Sequence, residues 1–413
     1  KKSNTNRTIY MSASPVGRAP IWLTILSSGV ILTGISPILP ALPEMQRTLG
    51  LSDSEIGMVS SMYFLSSALL AFPTGRLADR FGRRLVFVVS LTVFGLCGLA
   101  LSFTQSFVVI CVVRAIQGSA FAAVHPLSIT MIGDARSGAE QVTAQGFRYT
   151  ALTICEAVLP VIGGFVVVIG GWYAPFALQL FALPVALVGC FLIPSHSPSQ
   201  HPLSSYWNQL LEILKDKGAL TIQLSGFLRF LFKFSFLTYV PILFVAKRDF
   251  SPTFVGIALG GSALFGAAAA ALSGRLIHRF APSRLLGFSL ILIGIPLILL
   301  SVITSPPIIL LVCFLFGMGD GAYGVLQNAM MTQVAPANLR GGFIAATGSV
   351  RNFGKFLAPS LFGLLASHWL GIPIETSFVL MGVLALGALS TVLVLSRFDS
   401  RLMSYRDESS QTN

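Results

Sequence analysis

Apolar runs of about twenty residues, enough to cross a hydrocarbon core of about 30 Å, recur along nearly the whole chain and alternate with short polar or basic stretches. They predict spans near residues 20–42, 55–74, 85–104, 107–131, 145–168, 173–194, 219–246, 253–273, 284–304, 307–331, 344–366 and 373–396. The first is punctuated by Pro37, Pro40 and Pro43, the mark of a bent or ending membrane helix. One polar interval stands out, 195–217, with His196, His201 and a short amphipathic piece from Trp207 to Leu214. It reads as a linker carrying a helix at the membrane surface. The expected organisation is an all-α membrane protein of twelve transmembrane helices in two pseudo-symmetric six-helix bundles, 1–194 and 218–413, joined by the linker 195–217.

The two bundles are copies. A shift of 199 residues lays Gly75-Arg76-Leu77 on Gly274-Arg275-Leu276 and Arg80-Phe81 on Arg279-Phe280. The same register pairs Ser52 with Ser251, Gly57 with Gly256, Leu65 with Leu264 and, far downstream, Pro160 with Pro359. One register held across four helices is the signature of an internal repeat. Six-helix repeats about an axis along the membrane normal place a binding site at mid-bilayer, between bundles that rock against each other.

Composition agrees. Of 413 residues, 54% are hydrophobic and 10% charged, against about 25% charged in an ordinary soluble chain. The formal net charge of +12 is a topology signal, because Lys and Arg near span ends are retained on the cytoplasmic side. With both termini inside, Arg47, Lys247 and Arg248 are the basic residues that fall outside. The dispersion of the remaining charge over short loops excludes a nucleic-acid face. Cys97, Cys111, Cys155, Cys190 and Cys313 all lie in spans without metal-ligand spacing, so neither a disulfide framework nor a metal is expected. The first apolar run lacks a small-residue cleavage site and reads as a retained helix. No nucleotide loop or nucleophile with its base is present on the watery sides, so an enzyme is not expected, and no cofactor is implied.

The stretch Gly75-Arg76-Leu77-Ala78-Asp79-Arg80-Phe81-Gly82-Arg83-Arg84 resembles the cytoplasmic loop signature of the major facilitator superfamily, G-x-L-A-D-R-x-G-R-[RK]. An ordinary basic loop explains the arginines but not Gly75, Asp79 and Gly82. The resemblance implies that Asp79 docks on the start of the eleventh helix, near Gly341 to Ala346, and that Arg83 pairs with Asp134, latching the cytoplasmic side. In the second copy His278 replaces the acid and Ala281 replaces the second glycine, so the latch is expected from the first half alone. Arg114-Ala115-Ile116-Gln117-Gly118 resembles the family's R-x-x-Q-G element, whose Arg is linked to proton coupling. Helical spacing brings Phe121 and His125 to its side, and a backbone hydrogen bond is the favoured reading of His125. Gly146, Pro160, Gly163 and Gly164 match an antiporter element of the fifth span that bends the helix, although Cys155 and Leu159 replace two of its glycines. The run Leu39-Pro40-Ala41-Leu42-Pro43 is similar to that of the twelve-helix drug:proton antiporters, with Ser36 where these often carry an acid.

Charge inside a bilayer is costly, and it marks function by default. Arg114, Arg148, Arg229, Lys233, Arg351, Lys355, Glu156 and Asp320 lie in or near the ends of spans. Arg148 and Arg351 are near cytoplasmic ends and are expected to snorkel. Arg229, Lys233 and Phe236 share one face of the seventh span, and Asp320, Tyr323 and Gln327 one face of the tenth. In the family, the first, fourth, seventh and tenth helices line the cavity, which implies a net positive, aromatic pocket including Gln117, Phe121 and Lys355, with Asp320 partly neutralising the basic pair. An ion pair that only staples two helices is the bland alternative. Glu156 and Lys355 are related by the repeat and are expected to face one another; Glu156 is the first candidate for the coupling proton and Asp320 the second.

The favoured expectation is a proton-coupled exporter of amphipathic or drug-like small molecules, working as a monomer in the plasma (bacterial inner) membrane by alternating access. An ion-coupled importer of small organic anions is the first alternative, and a sensor or lipid-handling protein on the same fold the second.

Overall fold

The computed structural model describes residues 20–136, 138–194, 217–277, 279–334, 340–366 and 372–390. The linker and its expected surface helix lie outside the described residues, as do His278, Pro336 to Leu339 and the chain ends. The described residues form twelve helical segments, one at each expected position. These are α1 (Ile21–Leu49), α2 (Asp53–Phe81), α3 (Arg83–Leu101), α4 (Phe107–Ala135), α5 (Gly138–Gly170), α6 (Ala174–Leu192), α7 (Lys217–Arg248), α8 (Pro252–Leu276), α9 (Pro282–Val302), α10 (Pro306–Val334), α11 (Arg340–Leu365) and α12 (Ile374–Gly387).

Nine of these are long and apolar enough to cross a membrane among the described residues. The other three are α2, α11 and α12, the last being 14 residues as described. The lower apolarity of α2 and α11 has a physical cause: the two pack against each other between the halves, where side chains meet protein and cavity rather than lipid. Ser61, Ser67, Asn352 and Ser360 sit there, Asn352 donating to the Ser67 hydroxyl at 3.1 Å. Ser61 donates to Phe356 O at 2.8 Å, Ser60's neighbour thereby bridging the halves, and the Ser61 and Ser360 hydroxyls meet at 2.9 Å.

The prolines of the first span act as expected. The helix Ile21–Leu32 gives way to a 3-10 turn at Ser36–Ala41 and resumes at Leu42–Leu49, because Pro37 and Pro40 withhold backbone donors. Ser52 caps α2, accepting from Glu55 N at 3.3 Å while its own N–H donates to Glu55 Oε2 at 2.8 Å, a reciprocal box contributing about 1 kcal/mol. Its repeat partner Ser251 caps α8, accepting from Phe254 N at 3.2 Å.

The repeat is visible in the packing. Helix α2 packs on α4 as α8 packs on α10, α3 on α6 as α9 on α12, and α1 on α5 as α7 on α11. The halves meet through α2 with α11 and, symmetrically, α8 with α5. Gly57 lies against Pro359 O, and its counterpart Gly256 against Pro160 O. Gly363 lies against Asp53 O, and its counterpart Gly164 against Pro252 O. Each contact sits at the ends that the basic loops assign to the outside, and each leaves no room for a Cβ. Tyr239 adds its hydroxyl, which is within 2.8 Å of Asp53 O and 2.9 Å of Pro359 O as donor. At the opposite ends a methyl group on Gly146, Gly274 or Gly348 would meet nothing within 4 Å. Among the described residues, the halves are thus joined closely at the ends that the basic loops assign to the outside, and these three glycines have open space at the opposite ends.

The stretch read as a loop from Gly75 to Arg84 is mostly helix. Helix α2 runs on to Phe81 and the chain turns at Gly82, whose φ of 88° is in the region that only glycine adopts freely. Gly75 serves no turn.

Candidate functional site

Helices α7 and α10 bring one ion cluster together midway along their lengths. Asp320 accepts from Arg229 Nε at 2.8 Å and Nη2 at 3.2 Å, the forked geometry that suits guanidinium to carboxylate. Lys233 Nζ stands 3.2 Å from Asp320 Oδ2 and 3.7 Å from Glu156 Oε2 on α5. The side chains of Arg229 and Asp320 are each 11% exposed, whereas Glu156 is 45% exposed. Asp320 is thus committed to two cations, and Glu156 reaches from the other half with room around it.

Lys355 on α11 makes no ion pair with Glu156 among the described residues, although the carboxylate is near enough to act on its charge. Its ammonium lies 5.4 and 5.8 Å from the Phe64 and Phe121 rings of one half, and 4.8 and 5.7 Å from Phe230 and Phe234 of the other. The repeat gives Glu156 and Lys355 equivalent positions, but it is Lys233 whose ammonium stands within ion-pair distance of the carboxylate. Phe64 and Phe234 are packed edge to face at 4.6 Å, so the rings form one aromatic seam across the halves. Arg229 and Arg351 approach the Phe230 ring at 5.0 and 6.0 Å.

Neither Arg148 nor Arg351 snorkels. Arg148 is 5% exposed; its Nε donates to Ser28 and Ser128 at 2.8 and 2.9 Å, and its Nη2 lies 3.5 Å from His125 Nδ1. Arg351 donates to Asn328 Oδ1 at 2.7 Å. Polar partners on α1, α4 and α10 make the inward rotamer cheaper than a reach to the interface. His125 stacks on Phe121 at 5.5 Å, and its carbonyl accepts from Ser128 at 2.7 Å.

Arg114 is buried away from these groups. It donates to Gly34 O at 2.7 Å, Val59 O at 3.2 Å and Gln117 Oε1 at 2.8 Å, and stands over the Tyr63 ring at 4.7 Å. Gln117 passes the network to Gln179 and to Phe94 O. One guanidinium therefore ties α1, α2 and α4, and Gln117 extends the tie to α3 and α6. Gln117 lies in this network and not on the cavity surface, being fully buried.

Phe236 also departs from expectation. It is fully buried and stacks on Phe316 at 3.9 Å inside the second bundle. Tyr323 and Gln327 are 1% exposed each, with Gln327 donating to Ile222 O at 3.3 Å. The rings that face the basic residues are Phe121, named from the sequence, and Phe64, Phe230 and Phe234, which the sequence does not single out. Phe230 and Phe234 each follow a cavity cation by one position, an i, i+4 stripe turned by one residue from the charged one.

At the end of α2, just before the turn at Gly82, the Arg80 guanidinium stands 5.4 Å from the Phe81 ring. The side chains of Asp79 and Asp134, and so the expected latch and the Arg83 pairing, lie outside the described residues. In α5, Pro160 stays within one uninterrupted helix. Gly163 lies against Pro37 O of α1 and Gly164 against α8, while Gly146 has open space. Among the described residues no group of His, Cys, Asp or Glu could hold a metal ion.

Comparison with known proteins agrees with this architecture. The family model described as Major Facilitator Superfamily matches residues 22–359 and 222–409. The quinolone resistance protein NorA of Staphylococcus aureus (strain MSSA476) is 25% identical over 384 residues, covering 90% of this chain and 95% of that protein. The uncharacterized MFS-type transporter YwoD of Bacillus subtilis (strain 168) is 27% identical over 215 residues, 51% of this chain and 47% of YwoD. Among solved structures, a bacterial homolog of the human lysosomal transporter Spinster superimposes with a TM-score of 0.80 at 15% identity, covering 92% of this chain and 97% of that one. A D-xylose-proton symporter superimposes with a TM-score of 0.70 at 16% identity, covering 89% and 96%. A paired-bundle fold, an ion cluster midway along the helices and a family model spanning most of the sequence leave one assignment: the chain belongs to the Major Facilitator Superfamily.

Proposed function

We propose that this chain exports amphipathic small molecules that carry an anionic group, in exchange for protons. The family and fold make it a secondary-active, alternating-access transporter in a membrane; the cargo and coupling are the new reading. The observation that carries the cargo is the charge balance of the cavity. Four cations, Arg229, Lys233, Arg351 and Lys355, stand against two carboxylates, Asp320 and Glu156, with phenylalanine rings among them; of the four, only Arg229 and Lys233 are ion-paired among the described residues. A cavity with spare positive charge and ring faces suits an aromatic anion and repels a lipophilic cation. Similarity to the quinolone resistance protein NorA over 95% of that protein's length supports export. Glu156 is the proton carrier in this reading, because it is the exposed member of the cluster and joins the two halves through Lys233. Asp320 stays as a structural counter-charge.

The test is transport in reconstituted vesicles of 2-naphthoate against its neutral counterpart 2-naphthamide and against a lipophilic cation, with an imposed pH gradient. Gradient-dependent movement of the carboxylate alone agrees with the proposal. Movement of the cation, blocked by neither aromatic acid nor amide, overturns it.

A further inference from the structure

The cavity holds four cations, but they are not equally available. Arg229 is locked in a forked pair with Asp320. Lys233 divides itself between Asp320 and Glu156. Among the described residues neither Arg351 nor Lys355 has a carboxylate within ion-pair distance. Arg351 is tied to Asn328 through one guanidinium nitrogen, whereas the Lys355 ammonium is surrounded by four phenylalanine rings, two from each half.

Ring faces attract a cation through their quadrupole, but they accept no proper hydrogen bond, and an ammonium has three N–H donors to place. A carboxylate arriving at Lys355 adds charge-assisted hydrogen bonds without first displacing another carboxylate. At Arg229 or Lys233 the same carboxylate must break an existing ion pair and leave Asp320 or Glu156 without its partner. The rings also match the rest of such a cargo, since faces that hold an ammonium can hold an aromatic body once the ammonium shifts toward its anion. Phe64 and Phe121 come from one half, and Phe230 and Phe234 from the other. A cargo bound there touches both moving bodies.

We infer that Lys355 is the residue that takes the anionic group of the cargo, with Phe64, Phe121, Phe230 and Phe234 clamping its aromatic body. Lys355 is then the determinant of anion over neutral cargo, and the Arg229–Lys233–Asp320 cluster sets the field around it. This rests on the reading that the cargo is an aromatic anion.

The experiment measures binding of 2-naphthoate and 2-naphthamide to the purified protein by the shift of its unfolding midpoint with ligand concentration. The readout is the ratio of the two apparent affinities. Comparing ratios between variants cancels partition of the probes into detergent, and a merely structural role for Lys355 would lower both affinities without changing the ratio. The wild type should prefer the carboxylate. K355Q should lose about tenfold of that preference, the factor carried by one charge-assisted hydrogen bond, and K355R should keep most of it. Should K355Q not fold, K355M retains the aliphatic stem among the rings and reads the same ratio. If the wild type prefers 2-naphthoate and K355Q or K355M prefers it equally, Lys355 is not the anion site, while the proposed cargo class stands. If the wild type itself shows no preference, the cargo class fails and the inference falls with it.

Discussion

Replacing Asp320 by Asn removes one charge from a site where three contacts depend on it, and the structure sets the scale of the damage. Arg229 loses a forked partner at 2.8 and 3.2 Å, and Lys233 loses one of its two carboxylates, at 3.2 Å. Orphaning one member of a buried pair costs about 3–5 kcal/mol. Lys233 keeps Glu156 at 3.7 Å, and that carboxylate is itself 45% exposed, so the lower end, about 3 kcal/mol, is expected. Removing both charges is different, because the desolvation of Arg229 no longer needs offsetting. R229Q/D320N should lie within about 1 kcal/mol of the wild type. The assay is thermal unfolding of detergent-purified wild type, D320N, R229Q and R229Q/D320N, read as a double-mutant cycle. A double variant as unstable as the sum of the singles would show that the pair is not energetically coupled, and that Asp320 is held by something other than Arg229.

Other outcomes follow from single contacts. In E156Q, vesicles should still exchange substrate across a membrane without a pH gradient but lose gradient-driven accumulation; retained accumulation removes Glu156 from the coupling. Tyr239→Phe deletes a hydroxyl that joins the halves outside, about 1 kcal/mol for one hydrogen bond. Spin-label distances across the outer ends should then show a larger outward-open population. Gly260→Leu places a side chain against Ala157 O between α8 and α5; it should abolish outer closure and transport while leaving a folded, monodisperse protein. D79N should bias the halves toward the inward-open state if the expected cytoplasmic latch operates, and inner-end spin-label distances identical to wild type would sink that latch.

Much of this was readable in the sequence, for reasons that differ by feature. The spans and their number follow from the length of apolar runs, and the paired bundles from one register held between Gly57 and Gly256 and between Pro160 and Pro359. Arg229, Lys233 and Asp320 stood out because charge is rare in apolar helices, and they do meet. Phe64, Phe230 and Phe234 did not stand out among 32 phenylalanines, since nothing in a Phe tells whether it meets lipid, a neighbour or a cavity. Phe236 was misplaced because an i, i+3 or i+4 spacing selects a stripe wider than the cavity it borders. Glu156 and Lys355 were paired by symmetry, but symmetry gives equivalent positions and not contact. The helical state of Gly75 to Phe81 was hidden by glycines and charges that usually mark a loop.

The seam at the outer ends is built mainly of backbone: glycine surfaces rest on carbonyl oxygens, in two copies related by the repeat, and the Tyr239 hydroxyl reinforces one copy. Such a joint is blind to what lies in the cavity. Its opening can be tuned by the fit of two backbones, while recognition is left to charges and rings a few turns further in. Cargo choice and gate mechanics are therefore written in different residues. A descendant of this chain could exchange its cavity residues and move something else on unaltered hinges, whereas a single methyl group at Gly57 or Gly256 would stop any cargo alike.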